Sequence, residues 1–227
     1  MLRGKGMMMK AFVFDLDGTL IDSAYQHIAA WTRAFRSTNI ELPVVEIHRR
    51  VGMNGKHMLS ALNRTFGLGL SNEATESLEQ AHGEYYAQVS GEVRIIEGAV
   101  QLLQALAEMD IGIAIASSAQ RREAEPFLKQ LMPSPHTVVI TSETEPRSKP
   151  SGRQFERAFE KLRVDPHEAA IVGDSSWDML ASRIAGSLGV GVLSGGYSEA
   201  ELSSAGAFRV YRNVGDILQR LEELGID

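Results

Sequence analysis

The sequence predicts an α/β fold: a parallel sheet sandwiched by helices, with a small all-helical domain inserted after the first strand. Two observations carry this. From about residue 92 onward, short continuous apolar runs alternate with helical patterns, which is how strands buried on both faces read. Residues 22–90 interrupt that alternation with helical patterns alone and hold no strand candidate. The resulting partition is an α/β core of residues 10–20 and 92–227, a helical insert of residues 21–91, and an N-terminal extension of residues 1–9.

The elements follow in order. Lys10 to Phe14 is an apolar run that ends at a carboxylate, and Gly18 breaks the chain behind it. Helices are expected around Ala29–Phe35, Pro43–Arg50, Lys56–Phe66 and Asn72–Val89, punctuated by Gly52, Gly55, Gly67 and Gly69. The core then reads as helix Ala99–Glu108, strand Ile111–Ala116, helix Arg122–Leu131, strand Thr137–Ile140, helix Gln154–Leu162 and strand Ala169–Val172. Helix Trp177–Ala185, strand Val190–Leu193, a strand near Phe208–Val210 and a helix ending near Leu224 complete it.

Composition narrows the function. With 29 Asp plus Glu against 23 Lys plus Arg, the 227-residue chain carries a formal charge of −6, which disfavours nucleic acid as its main partner. A hydrophobic share of 44% with 23% charged residues is that of a soluble globular protein. No apolar run reaches the ~20 residues of a membrane helix, so no membrane partner is expected. The absence of cysteine excludes disulfides, thiolate metal sites and a cysteine nucleophile. No secretion-signal pattern precedes Lys10, so the cytoplasm is the expected location, with a monomer or weak homodimer as the expected form.

Ligands of open parallel sheets bind beyond the carboxyl ends of the strands. The first strand is followed there by Asp15-Leu16-Asp17-Gly18-Thr19 and the second by Ser117-Ser118. The third is followed by a loop with Lys149-Pro150, and the fourth by Gly173-Asp174-Ser175-Ser176-Trp177-Asp178. Carboxylates gathered at one edge repel each other unless a hard cation sits among them, and Mg²⁺ takes oxygen ligands. Asp15 and Asp174 are the expected side chains on it. A carboxylate can also attack phosphorus, and Asp17 could then protonate the leaving oxygen and deprotonate water. Ser117 and Lys149 would hold the phosphoryl oxygens, with Ser118 in a weaker supporting position. The plain alternatives are a strand-to-turn junction for Asp15 and Asp17, helix caps for Ser117, Ser118 and Asp178, and a solvated side chain for Lys149.

In this order and spacing, these residues resemble the four motifs of the haloacid dehalogenase superfamily, over nearly the whole chain from Lys10. The resemblance implies a Rossmann-like core, Asp15 as nucleophile and Asp17 as general acid/base. It implies Mg²⁺ held by Asp15, the backbone carbonyl of Asp17 and Asp174, with Asp178 supporting the metal from behind. The helical block resembles the cap of the phosphoglycolate phosphatase and β-phosphoglucomutase branch, which closes over the substrate and excludes water. Two departures stand out. Relatives often carry an acidic residue soon after the Pro of the third motif, whereas Lys149-Pro150 is followed by Ser151-Gly152; this removes one expected partner of Lys149. Some relatives carry a further metal carboxylate where Gly173 stands, which gives Asp178 more weight.

The leading expectation is therefore a Mg²⁺-dependent phosphatase acting on a small phosphorylated metabolite through an aspartyl-phosphate. A sugar-phosphate mutase of the β-phosphoglucomutase type shares every core residue and is the alternative; a metal-free dehalogenase would not need Asp17. Substrate choice is expected to lie in the insert. Asn54 and Lys56, in the turn Gly52-Met53-Asn54-Gly55-Lys56, and Arg49 are the candidate substrate contacts there. His27 and Trp31, four apart on one helix, could face the cleft, but Trp31 reads better as core, and so do Tyr85 and Tyr86. The six His show no metal-ligand spacing, and the glycine-rich run Gly186–Gly191 is read as preceding a strand, so it lacks the context of a dinucleotide site.

Overall fold

In the computed structural model, residues 9–131, 134–147 and 149–226 are described. Residues 1–8 of the expected extension lie outside them, and Met9 is buried. The first strand, β1 (Ala11–Phe14), is buried at all four positions, which is why its sequence shows no polar alternation. The others are β2 (Gly112–Ala116), β3 (Val138–Ile140), β4 (Ala169–Gly173), β5 (Leu188–Val192) and β6 (Arg209–Tyr211). All pair in parallel, in the order β3-β2-β1-β4-β5-β6. Phe14 stands opposite Ile115 on one side and Val172 on the other. The chain leaves β1 between the strands where the winding direction reverses, and in such sheets the carboxyl ends open into a crevice at that point.

The described chain divides into two compact units: the residues up to Asp22 together with those from Ile95 onward, and Ser23–Arg94. The second unit is helical: α1 (Ala24–Ser37), α2 (Val44–His48), α3 (Gly55–Phe66) and α4 (Asn72–Val89). Its core gathers Ile28, Trp31, Phe35, Met58, Leu59, Leu62 and Leu78, each side chain contributing about 1.5–3 kcal/mol by its burial. Asn54 and Ser71 cap α3 and α4 by accepting from Lys56 N and Ala74 N. Gly67 ends α3 in the left-handed region, at φ 63°, where L side chains rarely sit. Trp31 is core, as expected. Its ring stacks on His82 at 4.1 Å, while His27 stacks on Tyr86 at 3.9 Å and shares a 3.2 Å hydrogen bond with His82. That His–His contact joins α1 to α4 and had no signature in the spacing of the six histidines.

The first unit carries α5 (Ala99–Glu108), α6 (Arg121–Leu131), α7 (Arg153–Leu162), α8 (Ser176–Ile184), α9 (Glu199–Ala205) and α10 (Val214–Leu218). Phe155, Ala158 and Phe159 of α7 pack on Ala11, Val13, Ala114 and Ile171 of the sheet. Three expectations need correction here. The glycine-rich run lies largely within β5 instead of ahead of it; a Cβ at Gly189 would stand 2.6 Å from Ser182 Oγ, so the bare backbone lets α8 approach the strand. The expected last helix is broken: α10 ends at Leu218 and a separate 3₁₀ turn covers Leu221–Leu224. Helix α9 was not anticipated, although Ser198 and Glu201 form a reciprocal capping box that the sequence does display. No helix among the described residues is long and apolar enough to cross a membrane.

Candidate active site

The site assembles from the ends of four strands. Asp15 follows β1 directly, and its amide donates to Val172 O at 2.9 Å, so its position is set by the ladder between β1 and β4. Leu16 behind it is buried, and Gly18 (φ 76°) turns the chain so that Gly18 N donates to Ile21 O at 2.8 Å. Asp174 leaves β4 beside this turn. Its Oδ1 accepts from Thr19 Oγ1 at 3.0 Å, both groups being buried. A Cβ on Gly18 would come 2.5 Å from Asp174 Oδ2, and one on Gly195, in the turn after β5, would overlap the same carboxylate. Ser194 of that turn donates to Gly18 O at 2.6 Å and holds the two loops together.

Lys149 is almost wholly buried, and its Nζ lies 2.8 Å from both Asp15 Oδ2 and Asp178 Oδ1. The expected loss of a fixed partner, from the missing acid after Pro150, is therefore corrected: Asp15 and Asp178 supply two. The Lys149–Pro150 peptide is cis. Asp178 also serves as the helix cap that the plain reading proposed. Its Oδ2 accepts from Ser175 N at 3.1 Å and Ser175 Oγ at 2.6 Å, closing a capping box on α8. One carboxylate oxygen caps the helix and the other meets Lys149. Gly173 is where it is for the same reason, because a Cβ there would overlap the Asp178 side chain.

Asp15, Asp174 and Asp178 are all buried and each offers an oxygen within 4.8 Å of the others. Against three carboxylates stands one ammonium. Burial, and then repulsion from Asp178 and Asp17, pushes the Asp15 carboxyl up to about 7 even against the pull of Lys149. Burial and the charges of Asp178 and Asp15 hold Asp174 well above the carboxylate range. Burial works against the charge on Lys149, but Asp15 and Asp178 outweigh it and hold the ammonium above its ordinary range. An all-oxygen, buried, electron-rich cluster with this surplus of negative charge fits a hard divalent cation of the Mg²⁺ type.

Asp17, whose carboxylate is not in the cluster, faces Ser117 instead: Ser117 Oγ donates to its Oδ2 at 3.4 Å and accepts from Ala119 N at 3.0 Å. Ser117 is buried and held by its own amide to Ile140 O at 3.0 Å, while Ser118 is half-buried. The core residues Asp15, Asp17, Ser117, Lys149, Asp174 and Asp178 thus come to one sheet edge. Asn54, Lys56 and Arg49 belong to the helical unit. There Asn54 Oδ1 accepts from Lys56 N at 3.0 Å, Lys56 is exposed, and exposed Arg49 lies 3.8 Å from Glu46. The residues that sequence reasoning missed are Thr19 as a donor to Asp174, and Ser194 and Gly195 as its wall. Thr19 was visible within its motif; the turn after β5 carried no signal.

A six-stranded parallel sheet with four motif loops and an acidic cluster at its carboxyl edge defines an α/β fold with one buried acidic site. Comparison with known proteins is specific. A family model for haloacid dehalogenase-like hydrolases matches residues 9–186, and the chain belongs to that family. It is 29% identical over 215 residues to a phosphoglycolate phosphatase of Rhodospirillum rubrum, covering 90% of this chain and 87% of the relative. It is 31% identical over 186 residues to an N-acetylmuramic acid 6-phosphate phosphatase of Pseudomonas aeruginosa, covering 80% of each. Among solved structures, a hydrolase from Pseudomonas syringae superposes with a TM-score of 0.91 at 38% identity, over 95% of this chain and 99% of the other.

Proposed function

We propose that this enzyme is a Mg²⁺-dependent phosphatase that hydrolyses a small phosphorylated metabolite through an aspartyl-phosphate. One observation carries the reading: three buried carboxylates lie together, two of them paired with one buried lysine, with a fourth carboxylate, Asp17, alongside at Ser117. Asp15 Oδ attacks phosphorus as the bond from phosphorus to the leaving oxygen breaks, and Asp17 donates the proton that the alkoxide needs. Asp17, now ionised, takes a proton from water as the water oxygen attacks the acyl phosphate. The new P–O bond forms at phosphorus as the bond from phosphorus to the Asp15 oxygen breaks, which releases inorganic phosphate and restores the Asp15 carboxylate. Ser117 and Lys149 hold the non-reacting phosphoryl oxygens, where charge spreads in the transition state. Asp15, Asp174 and the Asp17 carbonyl would hold Mg²⁺, with Asp178 supporting them from behind through Lys149 and the α8 cap, and the ion when bound supplies the positive charge that lets an anionic nucleophile and an anionic phosphoryl group meet.

In this reading the helical unit acts as a cap, and Asn54, Lys56 and Arg49 contact the substrate beyond its phosphate. The test is phosphate release from a panel of phosphorylated metabolites with Mg²⁺ or a chelator, with Asp15→Asn as control. Release that needs Mg²⁺ and vanishes in Asp15→Asn is expected; undiminished hydrolysis by Asp15→Asn would overturn the covalent route.

A further inference from the structure

Ser117 and Lys149 must meet the same phosphoryl group, yet they come from different loops, one after β2 and the other after β3. Gln154 lies between the two. It stands in the first turn of α7, on the face that also buries Phe155, Ala158 and Phe159, and is itself only 2% exposed. A polar side chain buried among apolar neighbours is costly unless it is hydrogen-bonded. Its Nε2 lies 3.2 Å from Ser117 O and 3.3 Å from Glu145 O. Both partners are carbonyls and can only accept, so the NH₂ edge of the amide faces them, and its two hydrogens match two acceptors. Glu145 stands four residues ahead of Lys149 on the same loop. One amide therefore joins the backbone of the residue that carries the serine hydroxyl to the backbone that leads to the lysine.

We propose that Gln154 is a positioning residue of the phosphoryl pocket, bridging the Ser117 and Glu145 carbonyls so that Ser117 and Lys149 keep one spacing. This rests on the phosphatase reading. It is not a contact with substrate, and its signature is in phosphate affinity and not in metal affinity.

The test uses Gln154→Met, which keeps the shape and removes both donors, and Gln154→Glu, which keeps the shape and replaces the donors with acceptors. Inorganic phosphate binding is measured by calorimetry in saturating Mg²⁺, alongside KM and kcat for the best ester. Amide hydrogen exchange is followed across Ser117–Ala119. Both variants are expected to bind phosphate roughly tenfold more weakly, as for loss of about one hydrogen bond's worth of positioning. KM is expected to rise in parallel, kcat to change less than threefold, half-saturating Mg²⁺ to stay put, and exchange at Ser117–Ala119 to quicken. A lower melting temperature with phosphate affinity within twofold of wild type would reduce Gln154 to a packing role and overturn the proposal. If Gln154→Met does not fold, Gln154→Glu decides alone by the same criteria. If the wild type neither releases nor binds phosphate, the phosphatase reading falls, and unchanged exchange at Ser117–Ala119 in the variants would remove the bridge as well.

Discussion

On the proposed reading, replacing Gly195 with alanine should weaken Mg²⁺ binding far more than one methyl group would suggest. Gly195 has no left-handed backbone that would demand glycine, so alanine meets no conformational penalty there. Its methyl would instead overlap Asp174, whose other side is closed by Gly18. Something must move. If the turn retreats, the 2.6 Å bond from Ser194 Oγ to Gly18 O stretches or breaks, at about 0.5–1.5 kcal/mol. If Asp174 rotates, it leaves Thr19 Oγ1, and a hydrogen bond to a charged acceptor is worth about 1.5–3 kcal/mol. At about 1.4 kcal/mol per tenfold, loss of the second bond corresponds to a roughly 10- to 150-fold weaker metal site. The assay is the Mg²⁺ dependence of phosphate release, with the Mg²⁺-induced rise in melting temperature as a reading independent of turnover. Gly191→Ala is the control. Its Cβ would stand 3.0 Å from Leu202 Cδ1, the end of a side chain that can yield, and half-saturating Mg²⁺ should stay within twofold. A Gly195→Ala enzyme with wild-type Mg²⁺ dependence would refute the reasoning that this turn sets the Asp174 carboxylate.

Three further outcomes are expected. Asp17→Asn should lower kcat by about 10²–10⁴ while inorganic phosphate still inhibits, and a variant keeping more than a tenth of the wild-type rate would exclude Asp17 as acid and base. Asp15 and Asp174 have raised pKa values in the fold, so the folded chain binds their protons more tightly than the unfolded chain does. Their contribution to stability is present below the ordinary carboxylate range and is lost as pH rises through about 7 for Asp15. In the proposed mechanism Mg²⁺ binds the ionised forms, so the melting-temperature gain from saturating Mg²⁺ should be larger at pH 8 than at pH 5; an equal or smaller gain at pH 8 would contradict this. Leu59→Ala, at a fully buried position of the helical unit, should cost about 2–5 kcal/mol in denaturant unfolding, and a loss below 1 kcal/mol would mean that this core is not close-packed there.

Much of the site was legible because its residues sit at strand ends, and strand ends can be located from apolar runs alone. Asp15 and Asp17 follow the run Ala11–Phe14, and Asp174 and Asp178 follow Ala169–Gly173, so their convergence needed only a parallel sheet. Lys149 was placed by order, and its partners could not be read. The acid absent after Pro150 suggested a looser lysine, while Asp15 and Asp178 bind it from elsewhere in the chain. For Asp178, a helix cap and a place beside Lys149 do not exclude each other, since one of its oxygens meets Ser175 and the other Lys149.

The sequence by itself determined the strand and helix alternation as far as β5, the position of the helical insertion and the identity of the acids at the sheet edge. Each of these is written in local pattern: apolar runs, capping residues and carboxylates directly behind strands. Only the tertiary structure decided what surrounds those acids. Thr19 on Asp174, Ser194 on Gly18, Gln154 between two carbonyls and the His27–His82 pair are contacts between residues from 37 to 176 positions apart, apart from Gln154's second bond across nine. Glutamine, serine, threonine and glycine are ordinary at any loop or helix start, so their types announce nothing. Their roles arise when burial leaves a polar atom with one available partner, or leaves no room for a Cβ, and both conditions exist only once the chain has closed on itself.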